Sequence, residues 1–541
     1  MELSSSKSKI LFVLFASIIV SFITLTGLSN TMQIIFALAL LGIILYLIQN
    51  QKLFWYFVIL IPFLPPYFSY KMGEMPFING FRILLFILIY DQLILKQRIS
   101  NLVNAIKGDK FKIAILIYAT CILIPAFVRM YSMQDASNLV SSITIIVEKV
   151  LLYYLILMNI HIEVEKIGDK QKFLHKFLHT ISIVAFILSV FGVIEFLAQF
   201  NIFSLLDVSN FEGLKYSQFI RSGHLRVSSS FAHSLGYSMY LIIMIPLIFY
   251  QIKMAKEISK KQYYFYLTLL VLLMLNMFMT LSRSALISLS ISLIVFFIFA
   301  KLKTKIRFIF LFIYFALPLL TLSVTPFGES IGLSAIGDSV KALSDSLFGT
   351  SYVKDFGNNV EPFSFREELI KYAFSQSGLE DFFGKGIGFL RNEPMVFYIP
   401  ELNPFDVTTS QSVDSYYMLV KLEQGWVGLI ATITLFSIII LMMLRYMKYN
   451  LFNFVLLLSF VGYLFELTMV ADLDTIKYFW ILLAVFSAYH NFKEIQTNNP
   501  PVICRNERRF AAKETISEKE FTIPETENLR KEESESELVH V

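Results

Sequence analysis

Apolar residues in this chain come in long blocks rather than in alternation. The blocks run near 10–27, 31–49, 53–69, 81–96, 112–129, 138–159, 177–199, 232–251, 263–281, 284–300, 306–324, 415–444, 452–470 and 476–492. A helix rising 1.5 Å per residue needs about 18–22 such residues to cross a hydrocarbon core of roughly 30 Å. Backbone amides in lipid must be paired within the protein, which leaves helices or closed barrels, and a barrel strand needs only about 9–11 residues. The pattern therefore predicts an all-α integral membrane protein of about fourteen transmembrane helices, with about twelve as the lower bound. The 415–444 block exceeds a single crossing, so its first part projects from the membrane or lies tilted.

The polar segments between the blocks divide the chain. Residues 1–324 hold the first eleven helices, 325–414 form one large extracytoplasmic loop between the eleventh and twelfth spans, 415–492 hold the last three helices, and 493–541 form a tail. The large loop is too long for a connector and is expected to be a partly helical subdomain. Two more polar segments fall on its side of the membrane: 200–231 and the tight turn near Arg283. The tail mixes Glu, Lys, Ser and Thr after Pro500 and Pro501, a composition expected to be disordered.

Orientation follows from lysine and arginine, because short loops rich in them stay on the cytoplasmic side. With the N-terminus inside, the cytoplasmic loops carry Lys52, then Lys96, Arg98, Lys107, Lys110 and Lys112, then Lys166, Lys170, Lys172 and Lys176. Further along they carry Lys253, Lys256, Lys260 and Lys261, then Lys301, Lys303, Lys305 and Arg307, and finally Arg445 and Lys448. The alternate loops are poorer in basic residues for their length. Both termini are thus expected in the cytoplasm, in a multi-pass protein of the cytoplasmic membrane. Residues 1–9 form a short basic lead with no small-residue cleavage site behind the first span, and are expected to be retained.

Composition adds exclusions. With 56% hydrophobic and 16% charged residues, the chain cannot cover a soluble surface of this size. Cys121, inside a span, and Cys504, in the tail, are too few and too separated for a disulfide framework or a metal site. No Asp-rich pair suited to Mg²⁺ stands out. No metal, no cofactor and no nucleic-acid partner is expected.

Four segments hold residues able to do chemistry. RVSSSFAHSLGYSMYL, from Arg226 to Leu241, places Arg226, three serines and His233 at the membrane–water boundary. It reads either as an interfacial anchor or as an anion pocket in which guanidinium and hydroxyls converge on phosphate. TLSRSALISL, from Thr280 to Leu289, sets Arg283 between two apolar runs with almost no loop. A charge that deep costs about 2.5–3.5 kcal/mol, so it needs an aqueous cavity or an ion-pair partner on a neighbouring span.

SFREELIKYAFSQSGLEDFFGKGIGFL, from Ser364 to Leu390, has Phe365, Leu369, Ile370, Tyr372 and Ala373 at helical spacing, with Arg366 on the first turn. Gly384, Gly386 and Gly388 then allow close backbone approach; without a following Lys-Ser/Thr this is no phosphate loop. VDSYYMLVKLEQGWVGLI, from Val413 to Ile430, starts the return to the membrane at Asp414. Asp414 is either a helix N-cap or an outer carboxylate able to take a proton from an attacking hydroxyl. Within the spans, Glu148, Lys149, Glu195 and Glu466 are either ion or proton sites of a transporter or structural pairs.

These four segments, in this order and with this loop before the final spans, resemble the O-antigen polymerase and O-antigen ligase superfamily of bacterial surface-polysaccharide synthesis. The similarity covers roughly residues 180–445, and the set of motifs carries it more than any one of them. The resemblance implies a metal-independent glycosyltransferase that takes a glycan from an undecaprenyl-diphosphate carrier and passes it to an acceptor hydroxyl outside the cytoplasmic membrane. It implies that Arg226 and Arg366 hold the diphosphate, with Arg283 in the matching SR segment, and that Asp414 or His233 activates the acceptor. Ligases of the family place a histidine where this chain has Asp414, eleven residues before Gly425, which points toward a polymerase of oligosaccharide repeat units. A ligase acting on a lipid or protein acceptor, and a polysaccharide flippase using the intramembrane charges, are the alternatives. Membrane lipid is a further expected partner, as are a chain-length regulator and a flippase of the same pathway.

Overall fold

The computed structural model describes residues 52–70, 78–133, 137–209, 215–221, 224–306, 309–310, 313, 321, 325–326, 363–391, 394–397, 408–410 and 413–490. The expected spans at 10–27 and 31–49, nearly all of 306–324, much of the 325–414 loop and the 493–541 tail lie outside the described residues.

Helices form at all eleven remaining apolar blocks. They are α1 (Leu53–Leu60), α2 (Gly80–Ile89), α4 (Lys112–Met133), α5 (Ser137–Ile146) continuing into α6 (Leu152–Ile167), α7 (Lys170–Ala198), α8 (Ser234–Ile258), α9 (Lys260–Met279), α10 (Arg283–Phe299), α13 (Tyr416–Tyr446), α14 (Leu451–Met469) and α15 (Ile476–Tyr489). Among the described residues seven helices are long and apolar enough to cross a membrane, with shorter apolar ones at Leu53–Phe63, Arg283–Phe299 and Ile476–Tyr489. The protein is a multi-pass all-α membrane protein. Paired strands among the described residues are limited to two- and three-residue hairpins, such as β1 (Ser69–Tyr70) with β2 (Ile78–Asn79).

The helices pack as lipid-embedded bundles do, through small residues and internal hydrogen bonds. Of the seven long spans the best enclosed is α8, which packs between α9 and α14, while α10 packs on α14 and α15 on α6. A side chain at Gly192 of α7 would overlap Asn276 of α9, and one at Gly462 of α14 would overlap Ser292 of α10. Ser292 Oγ in turn donates to the Leu458 carbonyl oxygen at 2.9 Å.

Polar contacts gather at the two ends of the bundle. At one end Lys110 meets the Tyr446 hydroxyl at 2.8 Å, Ser487 meets Asp109 at 2.9 Å, and the Tyr489 hydroxyl meets the Lys170 carbonyl at 2.7 Å. This end carries the basic loops. At the other end the Tyr416 amide meets the Val470 carbonyl at 3.3 Å, and the Val227 amide meets the Met279 carbonyl at 3.1 Å. All four chemistry-bearing segments lie at this second end.

Three local features differ from the expectation. The basic stretch after the second described span, expected as plain loop, contains a helix, α3 (Ile99–Gly108). The long block after Asp414 is broken at Gly425, whose φ of 66° and ψ of −163° interrupt α13, so a short first segment precedes the main span. Glu148 and Lys149 sit in a π-helical turn, Val147–Leu151, and take different partners.

Candidate functional site

The segment from Arg226 to His233 is irregular, largely buried backbone, whose amides need partners. Buried Glu195 of α7 supplies much of that pairing. Its carboxylate accepts from the Ser228 amide and hydroxyl, both at 3.1 Å, from the Ser229 amide at 2.7 Å, and from Asn201 Nδ2 at 3.0 Å. Ser230 Oγ donates to the Pro62 carbonyl beyond α1. Glu195 is thereby a structural anchor of the serine loop.

Arg226 hangs from this fixed loop. Its amide donates to the Phe219 carbonyl at 2.9 Å, and its Nε donates to the Thr280 carbonyl at 3.0 Å. Thr280 opens the turn between α9 and α10, so Arg226 stands at the turn that presents Arg283. The turn is tight: Leu281 has a φ of 51°, and Ser282 caps α10 by accepting from the Ala285 amide. Arg283 is the first residue of α10 and is partly buried. Ser284 and Ser288 of the same helix donate to Glu466 of α14 at 2.7 and 2.5 Å.

His233 is the N-cap of α8, its Nδ1 accepting from the Leu235 amide at 3.0 Å. With Nδ1 as acceptor, the neutral ring carries its proton on Nε2 and offers a donor there. Burial, then the nearby Arg226 guanidinium, push its pKa down to about 3. The Phe219 ring lies 4.0 Å from the imidazole, centroid to centroid.

Arg366 falls on the first turn of α11 (Phe363–Phe374). Further along the same helix, Leu369 and Ala373 are buried with Phe389, Leu390, Met395, Val413 and Leu422 in a small apolar cluster. That cluster joins the Arg366 helix to the residue preceding Asp414. Ile370, expected on the apolar face, is instead 48% exposed. Asp414 is partly buried, and the N-cap position of α13 falls on Ser415, without a side-chain cap, rather than on Asp414.

After α11 and the short α12 (Leu379–Phe383), the glycine-rich turn docks onto α13. The Lys385 amide donates to the Leu422 carbonyl at 2.7 Å, the Gly386 amide to the Glu423 carbonyl at 3.0 Å, and the Gly388 amide to Glu423 Oε1 at 2.7 Å. Gly384 and Gly425 both have positive φ, and a side chain on either would overlap backbone of the other segment. The glycines therefore serve backbone-to-backbone packing.

The C-terminal end of α14 and the turn behind it form a shared strut. Glu466 receives the Arg283 helix, Val470 receives the Tyr416 amide two residues past Asp414, and Leu473 lies against Gly236 three residues past His233. The structure thus ties the Arg283 helix, the His233 helix and the Asp414 segment to one strut, with Arg226 held to the turn before Arg283. The helix that carries Arg366 meets the residue before Asp414 at the apolar cluster around Val413.

Several charged residues escaped the sequence reading or had open partners there. Arg82, at the start of α2, pairs with Glu148. Lys149 donates to the Tyr416 hydroxyl at 3.1 Å and lies within electrostatic reach of Asp472. Burial raises the pKa of Asp472, and Lys149 opposes the rise. Buried Arg129 of α4 donates to the Gly384 carbonyl at 3.3 Å. Their signal is a charge within or beside an apolar block, which hydropathy flags without naming partners.

Comparison with curated proteins gives no match. Arg226 and His233 precede the part of the chain that matches a family. Residues 268–433 match the family model described as O-Antigen ligase, and the segment holding Arg283, Arg366, Asp414 and Gly425 thus bears the resemblance to the O-antigen polymerase and ligase superfamily.

Proposed function

We propose that the protein is a membrane-embedded glycosyltransferase that joins lipid-linked oligosaccharide repeat units. The family match supports glycan transfer of the ligase and polymerase kind in general. The finer reading is carried by one observation: Arg226 is tied to the Thr280 carbonyl beside Arg283, at the end of the bundle where the Asp414 segment enters.

In this reading Arg226 and Arg366 bind the donor diphosphate and Arg283 lines the same pocket. Asp414 takes the proton of the acceptor sugar hydroxyl, the oxygen attacks the anomeric carbon, and the bond from that carbon to the diphosphate breaks. The departing undecaprenyl diphosphate gains negative charge that the guanidinium groups stabilise. Removing one such contact costs about 2.7–4 kcal/mol of transition-state stabilisation. His233, with Nε2 as donor, suits a hydrogen bond to a substrate oxygen better than proton removal.

Purified protein given lipid-linked repeat units should yield polymer. The Arg226→Ala and Arg366→Ala proteins should reach the membrane yet make none, and normal chain lengths in both would defeat the proposal. The family description favours a ligase as the second reading. A null strain separates the two: single repeats on the acceptor mark a missing polymerase, and polymer left on the carrier lipid marks a missing ligase. A flippase reading draws little support, because Glu148, Lys149, Glu195 and Glu466 each hold structural partners.

A further inference from the structure

At the basic end of the bundle, α3 has two kinds of apolar side chain. At 100° per residue, Ala105, Leu102, Ile106, Ile99 and Val103 cover one continuous arc of about 160°. Ala105 is buried, and Leu102 packs on the same core as α6. The rest of the arc faces outward: Ile99 is 59%, Val103 39% and Ile106 36% exposed. Lys107, Ser100, Asn104 and Asn101 fill the opposite arc and are exposed. A helix with one flank on protein, one apolar flank open and one polar flank fits the boundary between headgroups and acyl chains.

The charge around it is of one sign. Residues 96–112 contain Lys96, Arg98, Lys107, Lys110 and Lys112 against Asp109 alone. Asp109 is buried, accepting from the Phe111 amide and Ser487. Lys96 is paired with Asp91, and Lys110 is turned to Tyr446. Arg98 donates to Gln92 Oε1, Lys112 donates to the Lys107 carbonyl, and no ion pair to a carboxylate forms at Arg98, Lys107 or Lys112 among the described residues. Exposed Ile113, Leu116 and Ile117 on the first turns of α4 continue the apolar surface. Excess positive charge beside an open apolar stripe complements an anionic lipid surface.

We propose that α3 lies in the plane of the membrane interface, with Ile99, Val103 and Ile106 in the acyl region and Arg98, Lys107 and Lys112 on the phosphates of anionic phospholipids. The inference does not depend on the glycosyltransferase reading.

Full-length protein carrying Cys121→Ser and Cys504→Ser, with a spin label at Val103→Cys or Asn104→Cys, tests it in nanodiscs. In phosphatidylcholine mixed with phosphatidylglycerol, the label at 103 should collide more with oxygen than with a water-soluble nickel chelate, and the label at 104 the reverse. The 103 spectrum should shift when phosphatidylglycerol is added, and the shift should vanish with Arg98→Gln, Lys107→Gln and Lys112→Gln combined. Nickel accessibility at 103 equal to that at 104 would overturn the placement. Dipolar broadening between labels on two chains would show a second copy on the stripe instead. A lipid-buried label indifferent to phosphatidylglycerol would overturn the anionic-lipid part.

Discussion

The Tyr416 amide donates to the Val470 carbonyl at 3.3 Å, while the hydroxyl of the same tyrosine receives Lys149 Nζ at 3.1 Å. The residue two positions past Asp414 is therefore pinned at both ends, to the strut behind α14 and to a buried cation. Lys149→Met leaves the tyrosine hydroxyl and Asp472 without their cation. Loss of one partner from a buried charged set costs about 3–5 kcal/mol, against about 1–3 kcal/mol for the donor stranded by Tyr416→Phe. Thermal unfolding in detergent should rank Lys149→Met below Tyr416→Phe, with the double variant less damaged than the sum.

Gly384 and Gly425 should tolerate nothing larger. Alanine at either meets backbone rather than a side chain that can swing away, and both glycines combine positive φ with ψ of 177° and −163°, a region essentially only glycine occupies. Gly168 is the control in open space: its φ of 72° and ψ of 0° are left-handed helical, where alanine costs about 1–2 kcal/mol, and nothing stands within 4 Å of the point a methyl group would occupy. Gly384→Ala and Gly425→Ala should release the glycine turn to limited proteolysis and abolish activity. Gly168→Ala should lose only the conformational increment and keep the turn protected.

The helices were legible because apolar block length alone dictates them, and Gly384 to Gly388 were legible as close-approach points because few other residues permit such backbone. What hydropathy cannot supply is rotation about each helix axis. Glu148 and Lys149 are sequence neighbours, yet one turns to Arg82 and the other to Tyr416, because consecutive side chains leave a helix in directions about 100° apart. Glu466 was visible as an intramembrane charge, but its serine partners lie about 180 residues away in sequence. Asp414 as helix start was off by one position, within the ordinary uncertainty of helix ends. The α3 helix was hidden because it is too short to span a membrane and is flanked by Lys96, Arg98, Lys110 and Lys112.

His233 gives a pH signature. Its pKa in the folded protein is about 3, below the ordinary 6.5, so the unfolded chain binds the extra proton between those values. Stability from this group is complete above about pH 6.5 and falls as pH drops toward 3. His233→Asn keeps a capping acceptor without a titrating ring. Unfolding measured from pH 7 to pH 4 should show a shallower loss for His233→Asn than for the parent.

Arg226→Lys separates charge from geometry. The parent side chain holds the Thr280 carbonyl with Nε while its two terminal nitrogens extend from the same plane. A lysine keeps the positive charge but has one nitrogen at the end of a flexible chain, so it cannot anchor on Thr280 and also present a planar fork to a diphosphate. If charge alone matters, Arg226→Lys should retain most activity and Arg226→Ala little. If the anchored fork matters, both should fall by about 10²–10³ in kcat, the loss that follows removal of one oriented donor. The second outcome is expected. Polymer formation by the two purified variants, at matched membrane content, checks it, with Thr280→Ala as the control because its carbonyl anchor survives.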